Sequence, residues 1–138
     1  MTKNQLKSLC RLYEYIYADK PFRNTKTVSF LMYKNKMVAF GVNSDKTSPM
    51  QKLYRTRTEL KDIKNFIDKE HSEINCLRKV DYMDIDFKKA ELVVISKRCD
   101  GNYRLARPCQ VCMTAVKDFG IRKIYYTNRE GGFTFEKI

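Results

Sequence analysis

The chain has 138 residues, of which 43% are hydrophobic and 12% aromatic, so we expect one ordinary folded domain over residues 1–138 rather than a disordered segment. No apolar run reaches the ~20 residues needed to cross a bilayer, and residues 1–11 lack the apolar core of a secretory signal. We therefore expect a soluble, cytoplasmic protein with no membrane partner. The formal net charge of +12 favours phosphate-bearing partners, although a compositional bias of the source genome would produce the same charge.

The first half of the chain begins with a helical pattern and continues with two β-rich runs. Apolar residues recur at helical spacing between residues 6 and 16, which predicts an amphipathic helix. Residues 27–33 and 36–42 are separated by two residues only, which predicts a β-hairpin. The polar and basic stretch 44–57 is interpreted as a surface loop. Three apolar residues then indicate a short helix: Ile63, Phe66 and Ile67.

The second half alternates helices with strands. The predicted elements are a helix at 71–80, a buried strand at 92–96, a helix at 109–119 and strands at 122–127 and 133–138. Five residues join the last two strands, and a parallel crossover takes about a dozen or more, so these strands must be antiparallel. The element order predicts an α/β fold, in which a mixed five-stranded sheet and its helices form a three-layer sandwich.

The strongest chemical signal is a pair of short motifs, His71-Ser72-Glu73 and the run P-C-Q-V-C over residues 108–112. Cys109 and Cys112 are three residues apart, so both sulfurs lie on one side of a helical turn, and a helix start favours thiolate. The single histidine, His71, lies at the start of the other predicted helix. Three protein ligands and one open position are typical of catalytic zinc, so we predict that Zn²⁺ is held by these three residues.

Other interpretations of the same cysteines are open at this point. A lone C-x-x-C is often redox-active or forms half of a structural zinc site. A structural site needs a fourth ligand, which Cys99 or Cys76 could supply, and the chain would then be a nucleic-acid-binding module without catalysis. Glu73 argues against that interpretation, because a structural site has no use for a carboxylate beside its metal.

With these motifs the chain resembles the cytidine and deoxycytidylate deaminase superfamily, whose signature is H-x-E followed by P-C-x-x-C. The resemblance implies hydrolytic deamination, in which zinc supplies hydroxide and Glu73 shuttles a proton to the ring and to the leaving amine. It also implies that Asn43 and Asp45, after the second strand, hold the sugar, and that the Ser72 backbone N–H serves the base. Turn chemistry is the alternative explanation for Asn43 and Asp45.

Three departures from the free-nucleoside cytidine deaminases bear on the substrate. His71 replaces their usual Cys, as in deoxycytidylate and polynucleotide deaminases, and Ser72 replaces the usual Ala. The link 46–70 is longer and rich in basic residues, so Arg55 and Arg57 are predicted to contact phosphate, although a solvated loop is the commoner role of such a segment. The antiparallel ending resembles the branch that favours cytosine over adenine, and relatives in that branch often form homo-oligomers.

The leading prediction is zinc-dependent deamination of cytosine to uracil in a free (deoxy)cytidine nucleoside or nucleotide. A monophosphate fits the sugar-holding residues and the basic link together. The alternative substrate is cytosine in single-stranded DNA or RNA, which the net charge of +12 would suit.

Overall fold

The computed structural model describes residues 1–18, 25–64 and 66–138, apart from the side chain of Thr25. This part of the chain forms four α-helices and five β-strands. The helices are α1 (Lys3–Tyr17), α2 (Pro49–Arg55), α3 (Ser72–Val80) and α4 (Gln110–Phe119). The strands are β1 (Thr25–Tyr33), β2 (Lys36–Val42), β3 (Ala90–Arg98), β4 (Lys123–Thr127) and β5 (Phe133–Lys137). Two single 3-10 turns lie at Glu59–Asp62 and Phe87–Lys89.

The five strands form one mixed sheet in the order β2-β1-β3-β4-β5. The pair β3–β4 is parallel, with α4 in the connection, and the other three pairs are antiparallel. The predicted α/β class, the mixed five-stranded sheet and the antiparallel last pair are therefore confirmed. The hairpin β1–β2 turns at Lys34 and Asn35, whose φ angles of 51° and 64° are of the sign that tight hairpin turns require.

The sheet is covered on both faces, so the fold has three layers. Alternate residues of β1 and β3 point to opposite sides, as strand geometry dictates. One face packs against α1 and buries Val28, Phe30, Val93 and Ile95, together with Tyr13 of the helix. The opposite face packs against α3 and α4 and buries, among others, Leu31, Leu92, Val94, Ile74, Val116 and Ile124. Helix α2 lies on this second side and contacts α4 and α3.

Two predictions for residues 44–67 are wrong. The supposed loop 44–57 contains α2, which begins because Ser48 caps the backbone N–H of Gln51 and a proline occupies the first turn. The supposed helix around residues 63–67 is not seen at the four described positions of this range: the 3-10 turn ends at Asp62, and the apolar side chains after it are exposed. The exposed fractions are 46% for Ile63, 39% for Phe66 and 64% for Ile67.

Gly41 allows α3 to lie directly on β2. A Cβ atom at this position would come within 2.3 Å of the Cys76 backbone nitrogen and 2.4 Å of the Ser72 carbonyl oxygen. The missing side chain therefore sets how closely the start of α3 approaches the sheet. His71 is the N-cap residue of α3 and Cys109 that of α4, so each helix begins one residue after its predicted start. Both helix starts face the same end of β3.

Candidate metal centre and adjoining cavity

The two helix starts bring His71, Cys109 and Cys112 together. His71 Nδ1 lies 3.2 Å from Cys112 Sγ and 3.5 Å from Cys109 Sγ. All three ligand atoms lie within 4.8 Å of one another. Cys109 is exposed at the cap of α4, whereas Cys112 is fully buried in its first turn. Among the residues that the structure describes, this group has no fourth His, Cys, Asp or Glu member.

The donor atoms fit a tetrahedral zinc ion. With bonds of about 2.0 Å to nitrogen and about 2.3 Å to sulfur, tetrahedral geometry separates nitrogen from sulfur by ~3.5 Å. The two nitrogen–sulfur distances of 3.2 and 3.5 Å are close to this separation. One imidazole nitrogen and two thiols are also a ligand set that zinc prefers. Cys99 is exposed elsewhere and Cys76 is buried under β2, so neither belongs to the group.

The charges of the three groups are strongly coupled. Hydrogen bonds from Cys112 and from His71 lower the pKa of Cys109 to about 4, against the opposing effect of burial. The same contact with Cys109, together with burial, raises the pKa of Cys112 well above its usual range. The hydrogen bond to Cys109 also raises the pKa of His71. Closely spaced ligands that share protons in this way release them when a cation binds.

Glu73 lies beside the metal ligands, in the first turn of α3, and is 5% exposed. Its Oε1 accepts a 2.8 Å hydrogen bond from the Ser72 hydroxyl. Burial raises the pKa of Glu73, whereas the Ser72 hydrogen bond and the nearby charge of His71 oppose that rise. A carboxyl group whose pKa is moved towards neutrality can both take up and release protons.

A cavity of about 780 Å³ is lined by Glu73 and by two of the candidate metal ligands, His71 and Cys109. One wall is the polar end of β1 and β3, where the Thr27 and Ser96 hydroxyls lie 2.8 Å apart. A neighbouring part of the wall is formed by residues 104–107, which are held by backbone hydrogen bonds from Arg104 to Ser96 (3.1 Å) and from Ala106 to Thr127 (3.0 Å). Residues 43–45 and 69–73 complete the lining. The walls of the cavity are therefore formed by several elements of the fold, and the candidate metal centre lies at its base.

Asn43 lines this cavity, and its side chain is fixed by hydrogen bonds to the protein. Its Oδ1 accepts hydrogen bonds of 3.0 Å from the Thr27 backbone N–H and 3.0 Å from the Tyr17 hydroxyl. Because the oxygen is turned into the protein, a substrate contact by Asn43 would use the amide N–H groups. Asp45 also lines the cavity, but its carboxylate is exposed at the mouth, 3.8 Å from the Lys69 ammonium.

The structure does not bring the two predicted phosphate-binding arginines to this cavity. Arg55 is 7% exposed, and its guanidinium makes a two-point ion pair of 2.7 and 3.2 Å with Asp68. Arg57 pairs with Asp118 at 3.3 Å and lies over the Tyr54 ring. The cations that do line the cavity are Lys69, Arg104 and Arg107. Arg107 is held by a two-point ion pair of 3.0 and 2.9 Å with Glu136.

Sequence reasoning missed one buried polar residue at the centre. Gln51 of α2 is 3% exposed and contacts both His71 and Cys112. The residue lies in the stretch that the composition suggested was a loop. The Ser48-Pro49 pair could have predicted it, because serine followed by proline is typical of an N-cap and the first residue of a helix, and Gln51 lies three residues after the cap.

Comparison with known proteins supports the fold. No protein-family model matches the sequence, and no curated protein sequence matches it. Two crystal structures of the dCMP deaminase from the cyanophage S-TIM5 are similar to this chain. The apo form has a TM-score of 0.59 at 17% identity, over 93% of this chain and 86% of that one. The complex with dCMP and dUMP has a TM-score of 0.59 at 20% identity, over 93% and 84% of the two chains.

None of the helices in the described ranges combines the length and the apolar character needed to cross a membrane.

Proposed function

We propose that this chain is a zinc-dependent hydrolytic deaminase that converts the cytosine of a free (deoxy)cytidine nucleotide to uracil. One observation carries the proposal. Three zinc-type ligand atoms lie within 4.8 Å of one another, and a buried carboxylate stands beside them in one cavity of about 780 Å³. A purely structural metal site has no need of the cavity or of the carboxylate. Their combination is what hydrolytic removal of the exocyclic amino group from a pyrimidine ring requires.

The metal would be held by His71 Nδ1 and the sulfurs of Cys109 and Cys112. When bound, zinc would act as a Lewis acid that lowers the pKa of water, so that hydroxide is available at neutral pH. Because the group has three members in the described part of the chain, a fourth position would be open towards the cavity. Glu73 lines the same cavity as His71 and Cys109, so it would be near a water held there.

Glu73 would carry the protons. Its carboxylate takes a proton from the attacking water and delivers it to N3 of the pyrimidine ring, while the water oxygen bonds to C4. Glu73 then takes the remaining proton from the C4 hydroxyl and passes it to the amino nitrogen, the C4–N4 bond breaks as the C4 carbonyl forms, and ammonia departs. Burial holds the pKa of Glu73 above its usual range, which suits a group that must gain and lose a proton in each turnover.

The walls of the cavity suit a nucleotide. The Asn43 amide would hold the sugar, and the Ser72 backbone would face the base. The cavity-lining cations Lys69, Arg104 and Arg107 replace Arg55 and Arg57 as candidates for a phosphate contact. The similar cyanophage structure holds dCMP and dUMP, the substrate and product forms of such a reaction, which supports a monophosphate.

The proposal is tested by product analysis of the zinc-loaded protein. It would be incubated with cytidine, deoxycytidine, CMP, dCMP and AMP, each with a zinc-free and a Glu73→Gln control. We expect uracil-containing product from a cytosine nucleotide, none from AMP, and none in either control. A zinc-loaded protein that leaves all four cytosine compounds intact would contradict the proposal.

A second candidate substrate is single-stranded nucleic acid, and one observation favours it. An open groove of about 1080 Å³ adjoins the cavity across the shared wall residues Arg104 and Leu105, and Arg98 and Arg129 also line it. A flanking nucleotide could lie in this groove. The two substrates differ in their response to salt, because a polymer releases several counterions and a mononucleotide few. Turnover confined to oligonucleotides, with a steep loss between low and moderate salt, would favour the polymer.

A further inference from the structure

The side chain of Gln51 joins two of the three candidate metal ligands. Its Oε1 accepts a 3.1 Å hydrogen bond from the backbone N–H of His71, and its Nε2 lies 3.8 Å from Cys112 Sγ as a donor. The side chain is buried, with only 3% of the residue exposed. No buried side-chain nitrogen or oxygen in the described residues lacks a partner, so both ends of this amide are satisfied.

The chemistry of the partners fixes the orientation of the amide. A backbone N–H can only donate, so the end of the Gln51 side chain that faces His71 must be the oxygen. The nitrogen end therefore faces Cys112, and it can only donate.

Helix α2 holds Gln51 in this place independently of the metal. Ser48 caps the helix by accepting a 3.3 Å hydrogen bond from the Gln51 backbone N–H, and the Ser48 N–H donates to the Asp68 carbonyl at 2.9 Å. The helix packs on α4, the element that carries Cys112. The amide thus links the start of α3 to the first turn of α4 through a third, separately anchored helix.

We propose that Gln51 is a positioning residue that sets the spacing between His71 and Cys112 and orients the Cys112 sulfur for zinc. The proposal rests on the proposed zinc site. Outer contacts of this kind typically change metal affinity by about 10- to 100-fold when they are removed. Within the described residues, both hydrogen bonds of the Gln51 side chain go to candidate metal ligands, so it acts through His71 and Cys112.

Two variants separate positioning from packing. Gln51→Met keeps the length of the side chain and removes both polar atoms. Gln51→Glu keeps the shape and an oxygen that can accept from the His71 N–H, but it removes the N–H donor to sulfur. Gln5→Met is the matched control, since Gln5 also makes two side-chain hydrogen bonds, of 2.8 and 3.2 Å, but at the start of α1.

Zinc affinity would be measured by competition with a chromophoric chelator, and the thiolate-to-metal absorption band would be recorded on cobalt-loaded protein. The melting temperature of each variant would also be measured with and without zinc. We expect Gln51→Met and Gln51→Glu to bind zinc about 10- to 100-fold more weakly and to shift the cobalt band. Gln5→Met should keep the parent affinity and spectrum.

Parent-like zinc affinity and cobalt spectrum in either folded Gln51 variant would overturn the proposal, even with a lower melting temperature, because that is the pattern of a packing residue. Gln51→Glu is nearly isosteric and keeps the test valid if Gln51→Met does not fold. If the parent protein bound no zinc, the proposed function would fail with this inference. If the parent bound zinc and deaminated cytosine while either folded variant matched it in zinc affinity and cobalt spectrum, only the role of Gln51 would fail.

Discussion

The Ser72 hydroxyl donates a 2.8 Å hydrogen bond to Glu73 Oε1 and lies 2.7 Å from the Ser29 hydroxyl of β1. Because a serine has one O–H group, Ser72 must accept from Ser29 when it donates to Glu73. All three residues are buried. Ser72 therefore links the carboxylate of Glu73 to strand β1 and helps to orient it. The superfamily that the H-x-E motif resembles usually has alanine at the position of Ser72.

Replacing Glu73 should separate the proton carrier from the metal site. Glu73→Gln keeps the shape of the side chain, so the protein should fold and hold zinc, yet turnover should fall by ~10²–10⁴-fold. Ser72→Ala should keep zinc and lose less activity, because it removes an orienting bond and leaves the carboxylate. Steady-state kinetics and zinc analysis check both variants. Near-parent turnover in Glu73→Gln would show that another group moves the proton.

Metal content should follow the three ligands. The purified protein is expected to hold about one zinc per chain, and His71→Ala, Cys109→Ala or Cys112→Ala should each lose most of it. Cys99→Ser is the matched control, since Cys99 is an exposed thiol outside the group. Elemental analysis of dialysed protein gives the answer. Loss of zinc from Cys99→Ser would indicate a four-ligand structural site.

Asn43 should have separable structural and substrate roles. Asn43→Ala removes the acceptor for the Thr27 N–H and the Tyr17 hydroxyl, which should cost ~1–3 kcal/mol of the free energy of unfolding. Asn43→Asp keeps an acceptor oxygen and removes the amide N–H groups. It should unfold close to the parent temperature and still lose kcat/KM for cytosine nucleotide. Parent kcat/KM in Asn43→Asp would leave Asn43 with the structural role alone.

Arg55 should matter for stability and little for substrate. Arg55→Ala leaves the buried Asp68 carboxylate without its two-point partner and frees the Leu60 carbonyl, which accepts from Arg55 at 3.0 Å. Its melting temperature should therefore fall clearly. Arg57→Ala breaks an exposed pair and should change the free energy of unfolding by ~0–1 kcal/mol. A raised KM at unchanged melting temperature in Arg55→Ala would restore its predicted phosphate role.

The close approach at Gly41 should be sensitive to a single methyl group. Gly41→Ala would place Cβ 2.3 Å from the Cys76 nitrogen, so α3 must move away from β2. We expect a loss of ~1–3 kcal/mol or more of stability, with weaker zinc binding because His71 moves with the helix. Gly132→Ala, whose Cβ would meet nothing closer than 3.9 Å, is the control. Equal melting temperatures for the two variants would contradict this account.

Patterns that act over a few residues predicted most of the fold. The hairpin, the buried strand β3 and the helices α3 and α4 follow from periodicity within single elements, and their ends agree to within about two residues. The antiparallel pair β4–β5 follows from a five-residue connection. Helix α2 did not follow, because seven residues give too little periodicity to predict a helix. Its stability comes from packing on α4.

The sequence by itself determined which residues could bind a metal, since His71-Ser72-Glu73 and the C-x-x-C pair act through local spacing at two helix starts. Only the tertiary structure decided which polar residues join them. Gln51 contacts the candidate ligands, whereas Arg55 pairs with Asp68, although both residues lie in the polar stretch 44–57 that was interpreted as a loop. The reason is physical: hydrogen bonds between residues 20 and 61 positions apart depend on how whole helices pack, which short-range spacing does not encode.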